Sequence, residues 1–339
     1  MRTTKISDVA ERAGVSTATV SRALTGSSLV KEATRNRILK IAREMGYSPN
    51  LIARNLTRKS TQIVGLVVAN IAEEFGALMT KGIEDVAHAH DLHVMIWSAH
   101  LNPAETQSGL DLFRDMRVDG IIVAETSTQL MDWENVPDVP TVYINRTSAV
   151  AATAWAVIPD DYYNARIAVE HLVDLGHEAI GFIGGVQTWL ATRERLRAYQ
   201  DVMLDHGYSV SEDRITYGDW TVQSGYELAR RMLTRQSRPT AIFAANDFMA
   251  VGVLDAASES GVQVPRDLSV IGMDNREACE YTRPRLTTVS IPLYEMGREA
   301  MTLLSRDISD RQRDTARSSK GTMAIRGVLV ERNSTAMAL

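Results

Sequence analysis

Several things are scarce in this sequence, and each scarcity closes off a class of function. There is one cysteine, Cys279, in 339 residues. A single thiol excludes an intrachain disulfide and any cysteine-based zinc site. No apolar run reaches the length of a membrane span. The first residues lack the apolar stretch of a secretory signal, so the cytoplasm is the expected compartment. The signatures of several enzyme classes are missing too. Gly181, Gly184 and Gly185 lack the spacing of a dinucleotide fingerprint, and neither a phosphate-cradling Gly-Lys-Ser/Thr loop nor a Gly-x-Ser-x-Gly elbow occurs. His88, His90 and His93 cluster, but residues two apart on a helix do not share a face, so a solvated helix end is expected rather than a metal site. The chain is read as non-catalytic, with no metal and no cofactor.

What is present is split by charge. Residues 1–60 carry 12 Lys+Arg against 4 Asp+Glu, a net of +8, whereas the remainder carries a net of −13. A small cationic head on an acidic body suits a nucleic-acid-binding head, because neutralising phosphates requires clustered cations.

The head has the pattern to match. Ile6, Val9, Ala10 and Ala13 fall at i, i+3, i+4 and i+7, one apolar stripe on a short helix. Gly14 comes next and suits the left-handed turn that ends a helix. Ser16 is a good N-cap for a second helix. There Val20, Ala23 and Leu24 point inward, and Thr17, Ala18, Ser21 and Arg22 point outward. This is either a helix-turn-helix whose second helix enters a major groove or an ordinary helical hairpin; the basic surroundings favour the first. Arg22 has the planar fork that pairs with guanine. A third helix is expected over roughly Lys31–Met45, stopped by Gly46, with Thr34 placed to donate to a phosphate.

Pro49 breaks that helix. Asn50 can cap the next segment, Leu51–Leu56, which is helix-compatible but too short to stay helical alone in water. Such a segment orders only when something buries it. Leu56 either wedges between base steps in a minor groove or sits in a plain solvated linker.

From Thr61 onward strands and helices alternate. Ile63–Val68 reads as a strand buried on both faces. Helical 77–90, strand-like 94–97, helical 105–116 and strand-like 120–123 and 141–144 complete one set. After a helix near 165–175, strand-like 179–183, 214–217, 241–244 and 269–272 form a second. Two successive parallel α/β units give two doubly wound lobes, with a ligand cleft between them at the carboxyl ends of the strands. The polar residues expected there are Asn70, Asn145, Arg146, Asp219, Trp220, Asn246, Asp247 and Asp274, with Arg195 early in a helix. An aromatic platform among Asp, Asn and Arg groups suits a ring bearing vicinal hydroxyls. Asp247 serves equally as a helix N-cap.

Val15-Ser16-x-Ala18-Thr19-Val20-Ser21-Arg22, Tyr47-Ser48-Pro49-Asn50 and Ala53-Arg54-x-Leu56 resemble the LacI/GalR family of bacterial transcription regulators. So do Val169-Glu170-His171-Leu172, Ala245-Asn246-Asp247, Asp267–Gly272, Leu286–Val289 and Leu329–Arg332, and the resemblance covers essentially the whole chain. It implies an N-terminal helix-turn-helix head (residues 1–48), a hinge helix and linker (49–60) and a two-lobed, periplasmic-binding-protein-like body (61–339). It further implies homodimers on pseudo-palindromic operators in double-stranded DNA, with residues matching Thr17, Ala18 and Arg22 reading bases and leucines matching Leu56 entering the minor groove. The expected DNA-facing set is Ser16, Thr17, Ala18, Ser21, Arg22, Thr34, Tyr47, Asn50, Ala53 and Leu56. Effector contacts are implied at Phe75, Arg195, Trp220, Asn246 and Asp274, with Asp247 adjacent; Asn70 and Arg146 join them from their places at strand ends. Trp220 after Gly-Asp resembles sugar-responsive members. Glu125 and Arg146 add charge near the cleft and are expected to pair, and Asn164 and His90 stand where relatives often carry glycine.

The expected function is a transcriptional repressor controlled by a small sugar-like effector. A co-repressor-dependent regulator, for example one using a purine, or an activator is the alternative. A solute-binding transport protein would share the body, but the basic head and the missing export signal argue against it.

Overall fold

The computed structural model describes residues 4–24, 27, 29–47, 60–130, 138–147, 154–313 and 320–339. The chain divides into two compact units, Met1–Thr61 and Gln62–Leu339.

In the first unit α1 (Ile6–Ala13), α2 (Thr17–Leu24) and α3 (Glu32–Glu44) enclose a small core. Val9, Ala10, Ala13, Val20, Ala23, Val30, Ile38 and Ala42 are buried in it, and Leu24 and Tyr47 pack against its edge. The turn between α1 and α2 forms as the sequence dictates. Gly14 takes a left-handed φ of 64° and returns its N–H to the last carbonyls of α1. Ser16 Oγ then accepts the Thr19 N–H at 3.1 Å, capping α2. Thr17, Ala18, Ser21 and Arg22 are all exposed on one face of α2.

The second unit is built on two parallel sheets. The N-lobe sheet holds β1 (Ile63–Val68), β2 (His93–Ser98), β3 (Gly120–Leu130), β4 (Thr141–Thr147), β5 (Trp155–Pro159) and β11 (Thr322–Ile325), in the order β11-β5-β4-β3-β1-β2. The C-lobe sheet holds β6 (Ile180–Gly184), β7 (Ile215–Tyr217), β8 (Ala241–Ala244) and β9 (Ser269–Ile271), in the order β7-β6-β8-β9. The helices that cover them are α4 (Glu74–Ala89), α5 (Pro103–Asp115), α6 (Asp161–Asp174), α7 (Leu190–Asp205), α8 (Val222–Leu233), α9 (Asp247–Glu259) and α10 (Leu293–Arg313). A short antiparallel ribbon pairs β10 (Thr288–Ser290) with β12 (Val328–Val330). The near-continuous apolar runs of β1, β6 and β8 reflect burial on both faces, as parallel sheets between helices require.

The alternation of strand and helix was legible in the sequence; the path of the chain was not. The sequence reading places neither β5 nor β11 in its two strand sets, yet they complete the N-lobe sheet. The chain therefore passes between the lobes three times, after β5, after β10 and after β11. Asn164 is fully buried near these crossings, where its Oδ1 accepts the Gly327 N–H at 2.7 Å. That bond explains an amide where a glycine was the expected residue. Among the described residues, no helix is long and apolar enough to cross a membrane.

Candidate functional site: the cleft of the body

Between the lobes lies a cavity of about 510 Å³, a size typical of small-molecule sites. Of the eight sequence-predicted effector residues, Phe75, Arg195, Trp220, Asn246 and Asp274 line it. Three do not. Asn70 is taken up by its own turn, accepting the Ala72 N–H at 3.0 Å and donating to Glu73 at 3.2 Å. Arg146 lines a neighbouring cavity instead. Asp247 is fully buried beneath the wall, and it is not the helix cap either: Asn246 caps α9, accepting the Met249 N–H at 2.8 Å.

The wall is held by hydrogen bonds that leave few choices of geometry. Arg195 projects from the second turn of α7 and donates through Nε and Nη2 to Asp161 Oδ1 at 2.8 and 2.7 Å, and through Nη1 to the Ala245 carbonyl. Both members of this pair are at most 4% exposed; breaking such a pair leaves an uncompensated buried charge. Its guanidinium also sits 5.5 Å from the Trp220 ring centre. Asn246 Nδ2 donates to the Trp220 carbonyl at 3.0 Å, tying α9 to the tryptophan loop. On its other side Trp220 rests on Gly185, where an added Cβ would lie 2.0 Å from the indole.

Asp247 and Asp274 form the floor. Asp247 accepts Thr288 Oγ1 at 2.6 Å and the Arg276 N–H at 2.8 Å, so it fixes the loop that carries Asp274. Asp274 pairs with Arg276 at 3.3 Å. Burial pushes both carboxyls above the usual carboxylate range, and for Asp274 the charge of Asp247 adds to the push. The Cys279 thiol beneath them is buried and pushed up likewise, so it is not a nucleophile.

Three wall residues, Asn145, Trp220 and Asp274, have left-handed φ values of 60°, 72° and 124°. Each stands just beyond or at the carboxyl end of a strand. Strain of this sort costs on the order of 1–3 kcal/mol per residue and collects at ligand sites. Three polar atoms of wall residues are buried and have no hydrogen-bond partner: Trp220 Nε1, Asn145 Oδ1 and Thr128 Oγ1. Together they offer a donor, an acceptor and a hydroxyl that can do either.

Sequence reasoning missed Asp161, Thr128, Trp189, Phe248 and Arg276. Trp189 stands beside Trp220 with ring centres 5.9 Å apart, extending the single expected aromatic platform to two. Arg276, two residues past Asp274, was within reach of the strand-end argument; the others are brought to the wall only by tertiary packing. The expected Glu125–Arg146 pair forms, at 3.6 Å, beside the cleft rather than in it. Among the described residues no group of His, Cys, Asp or Glu is arranged to hold a metal.

In the head, Thr34 is half-buried on α3, Tyr47 packs on the small core, and Ser16 is spent on capping α2. Asn50, Ala53 and Leu56 lie outside the described residues.

Two family models match the chain: one described as bacterial regulatory proteins, lacI family, over residues 5–50, and one described as periplasmic binding protein-like domain over residues 169–335. The catabolite control protein A of Priestia megaterium is 34% identical over 92% of this chain and 94% of its own. A crystal structure of the lac repressor dimer bound to operator and the anti-inducer ONPF superposes with a TM-score of 0.84 at 27% identity, covering 99% of this chain and 100% of that one. A complex of the transcriptional regulator CelR with cellobiose gives 0.71 at 29% identity, covering 98% and 99%.

Proposed function

The chain belongs to the LacI family of bacterial regulatory proteins, DNA-binding transcription regulators rather than enzymes, and on that premise we propose that it is a repressor whose operator affinity is set by a sugar-like effector held in the cleft of the body. The observation that carries the effector reading is the cavity wall itself. Two indoles supply apolar faces for a sugar ring, while Trp220 Nε1, Asn145 Oδ1 and Thr128 Oγ1 stand buried and unpartnered. Leaving such groups unmet costs roughly 1–3 kcal/mol each, a cost that a ligand rich in both donors and acceptors is suited to relieve once it seats against the wall. Asp274 adds a carboxyl group to the same wall, able to bond paired hydroxyls.

On the DNA side, residues 1–48 form the head, 49–60 the hinge and 61–339 the effector-binding and dimerising body. Thr17, Ala18, Ser21 and Arg22 read the major groove from the exposed face of α2, supported by the positive charge of the head. Ser16, Thr34 and Tyr47 orient that helix and its phosphate contacts, and the hinge residues Asn50, Ala53 and Leu56 meet the minor groove. A homodimer on a pseudo-palindromic operator is supported by the likeness to a dimer solved on its operator. The site of action is the cytoplasm, where the DNA is. Effector binding changes how the lobes of the body stand, and through the hinge it changes how well two heads fit one operator.

A thermal-shift screen of hexoses, disaccharides and nucleobases, followed by operator titration with each hit, tests this. The expected result is stabilisation by a sugar and a change of at least about fivefold in operator affinity. Stabilisation by a nucleobase alone would replace the sugar reading with a purine-responsive one.

A further inference from the structure

Beside the cleft, in the N-lobe, lies a second cavity of about 560 Å³. It opens between α5 and the carboxyl ends of β1–β4, and it shares Leu101, Thr126 and Trp189 with the cleft, so the two chambers have a common wall. The ring of Trp189 stands at that junction, next to Trp220.

The second chamber holds the Glu125–Arg146 pair, and the details of that pair matter. Its shortest approach is 3.6 Å, too long for a hydrogen bond. The two side chains are only 20% and 28% exposed. Arg146 Nε is buried with no hydrogen-bond partner. The ions thus neutralise each other's charge without using up each other's hydrogen-bonding capacity. Glu125 still presents acceptors, and Arg146, through the part of its side chain that stays exposed, still presents donors. A free anion or cation entering here would meet an opposite charge already countered by its partner, so the chamber gains little from a charged ligand. A neutral polyhydroxyl group, which donates to Glu125 and accepts from Arg146, satisfies both ions. Leu101, Leu110 and Trp189 provide the apolar surface that such a group also needs.

We propose that the chamber lined by Glu125, Arg146 and Trp189 is a second sugar subsite, so that the effector is a neutral glycoside of at least two units, one stacked at Trp220 and the next reaching past Trp189 to the ion pair. This rests on the sugar reading of the cleft and sharpens it. Arg146, placed by the sequence among the cleft residues, acts one ring further along.

Calorimetric titration of the full-length protein with glucose, galactose, cellobiose, maltose and lactose tests the proposal. At least one disaccharide is expected to bind about tenfold or more tighter than its constituent hexoses. In Thr106→Trp, which fills the chamber from α5, the ratio of disaccharide to hexose affinity falls towards one. In the double variant Glu125→Gln/Arg146→Gln, which leaves no lone buried charge, the ratio also falls. Circular dichroism melting verifies that both variants fold. If a hexose binds as tightly as every disaccharide, or if both variants weaken hexose and disaccharide equally, the second subsite is overturned and the cleft reading survives. If no sugar of either length binds the parent protein, both fall together.

Discussion

The guanidinium of Arg276 stands 4.4 Å from the ring centre of Phe75, so a cation of the C-lobe rests on an aromatic of the N-lobe. Its other face meets Phe248 at 4.1 Å, and its Nε pairs with Asp274. One residue on, the Glu277 N–H donates to Glu74 at 3.3 Å. These contacts fasten one side of the cleft across the lobe boundary.

Arg276→Gln is expected to loosen that fastening. The one cation–π contact that crosses the boundary, to Phe75, is lost at about 0.5–1 kcal/mol, so effector Kd should rise roughly two- to fivefold. Stopped-flow binding should place most of the change in the off-rate. An unchanged off-rate would show that the sandwich does not hold the lobes together.

Asp274→Asn should stabilise the protein in a pH-dependent way. Burial and Asp247 push the Asp274 carboxyl up, against the pull of Arg276 and Arg195. The folded protein therefore keeps a proton that the unfolded chain has already released. The stability carried by that proton is full below the ordinary carboxylate range and is lost as pH rises through the raised value. A neutral side chain escapes the loss, so the gain in Tm over the parent should grow between pH 4.5 and pH 7 and level off above. For a protein of this size each kcal/mol moves Tm by roughly 2–4 °C. Parallel melting curves at every pH would contradict the assignment.

Gly185→Ala addresses the Trp220 platform. The new methyl would lie 2.0 Å from the indole, so the ring must move. Overpacking of this kind costs about 1–3 kcal/mol. Effector affinity should drop about tenfold, and the quenching of tryptophan fluorescence by bound effector should shrink with it. Affinity and quenching that both match the parent would mean that the ring carries no effector.

Arg22→Ala tests the head. Loss of a bidentate base contact costs on the order of 1–3 kcal/mol at the operator. Nonspecific binding, which depends on phosphate contacts, should change far less, and the slope of affinity against salt should hold. Equal losses on operator and random duplex would assign Arg22 to the backbone instead.

The head was almost wholly legible in the sequence because its determinants are local. Helix period, a glycine at the left-handed stop and a serine cap all act within a few residues, and Gly14, Ser16 and the exposed face of α2 stand where those rules put them. The alternation of buried strands and helices in the body was legible for the same reason. The family, too, is written in short runs of residues.

The routing of β5 and β11 into the N-lobe sheet depended on pairings between segments far apart in the chain, which no local pattern encodes. The same holds for the cleft. Asp161 finds Arg195 only when two helices of the C-lobe pack together, and Arg276 finds Phe75 and Asn145 joins Trp220 in one cavity wall only after the lobes close on one another. Asp247 and Arg146 had suitable chemistry at suitable strand ends, but burial took one beneath the wall and a neighbouring chamber took the other. A side chain's identity is local; its neighbours and its access to a ligand are decided by packing, which was settled in three dimensions.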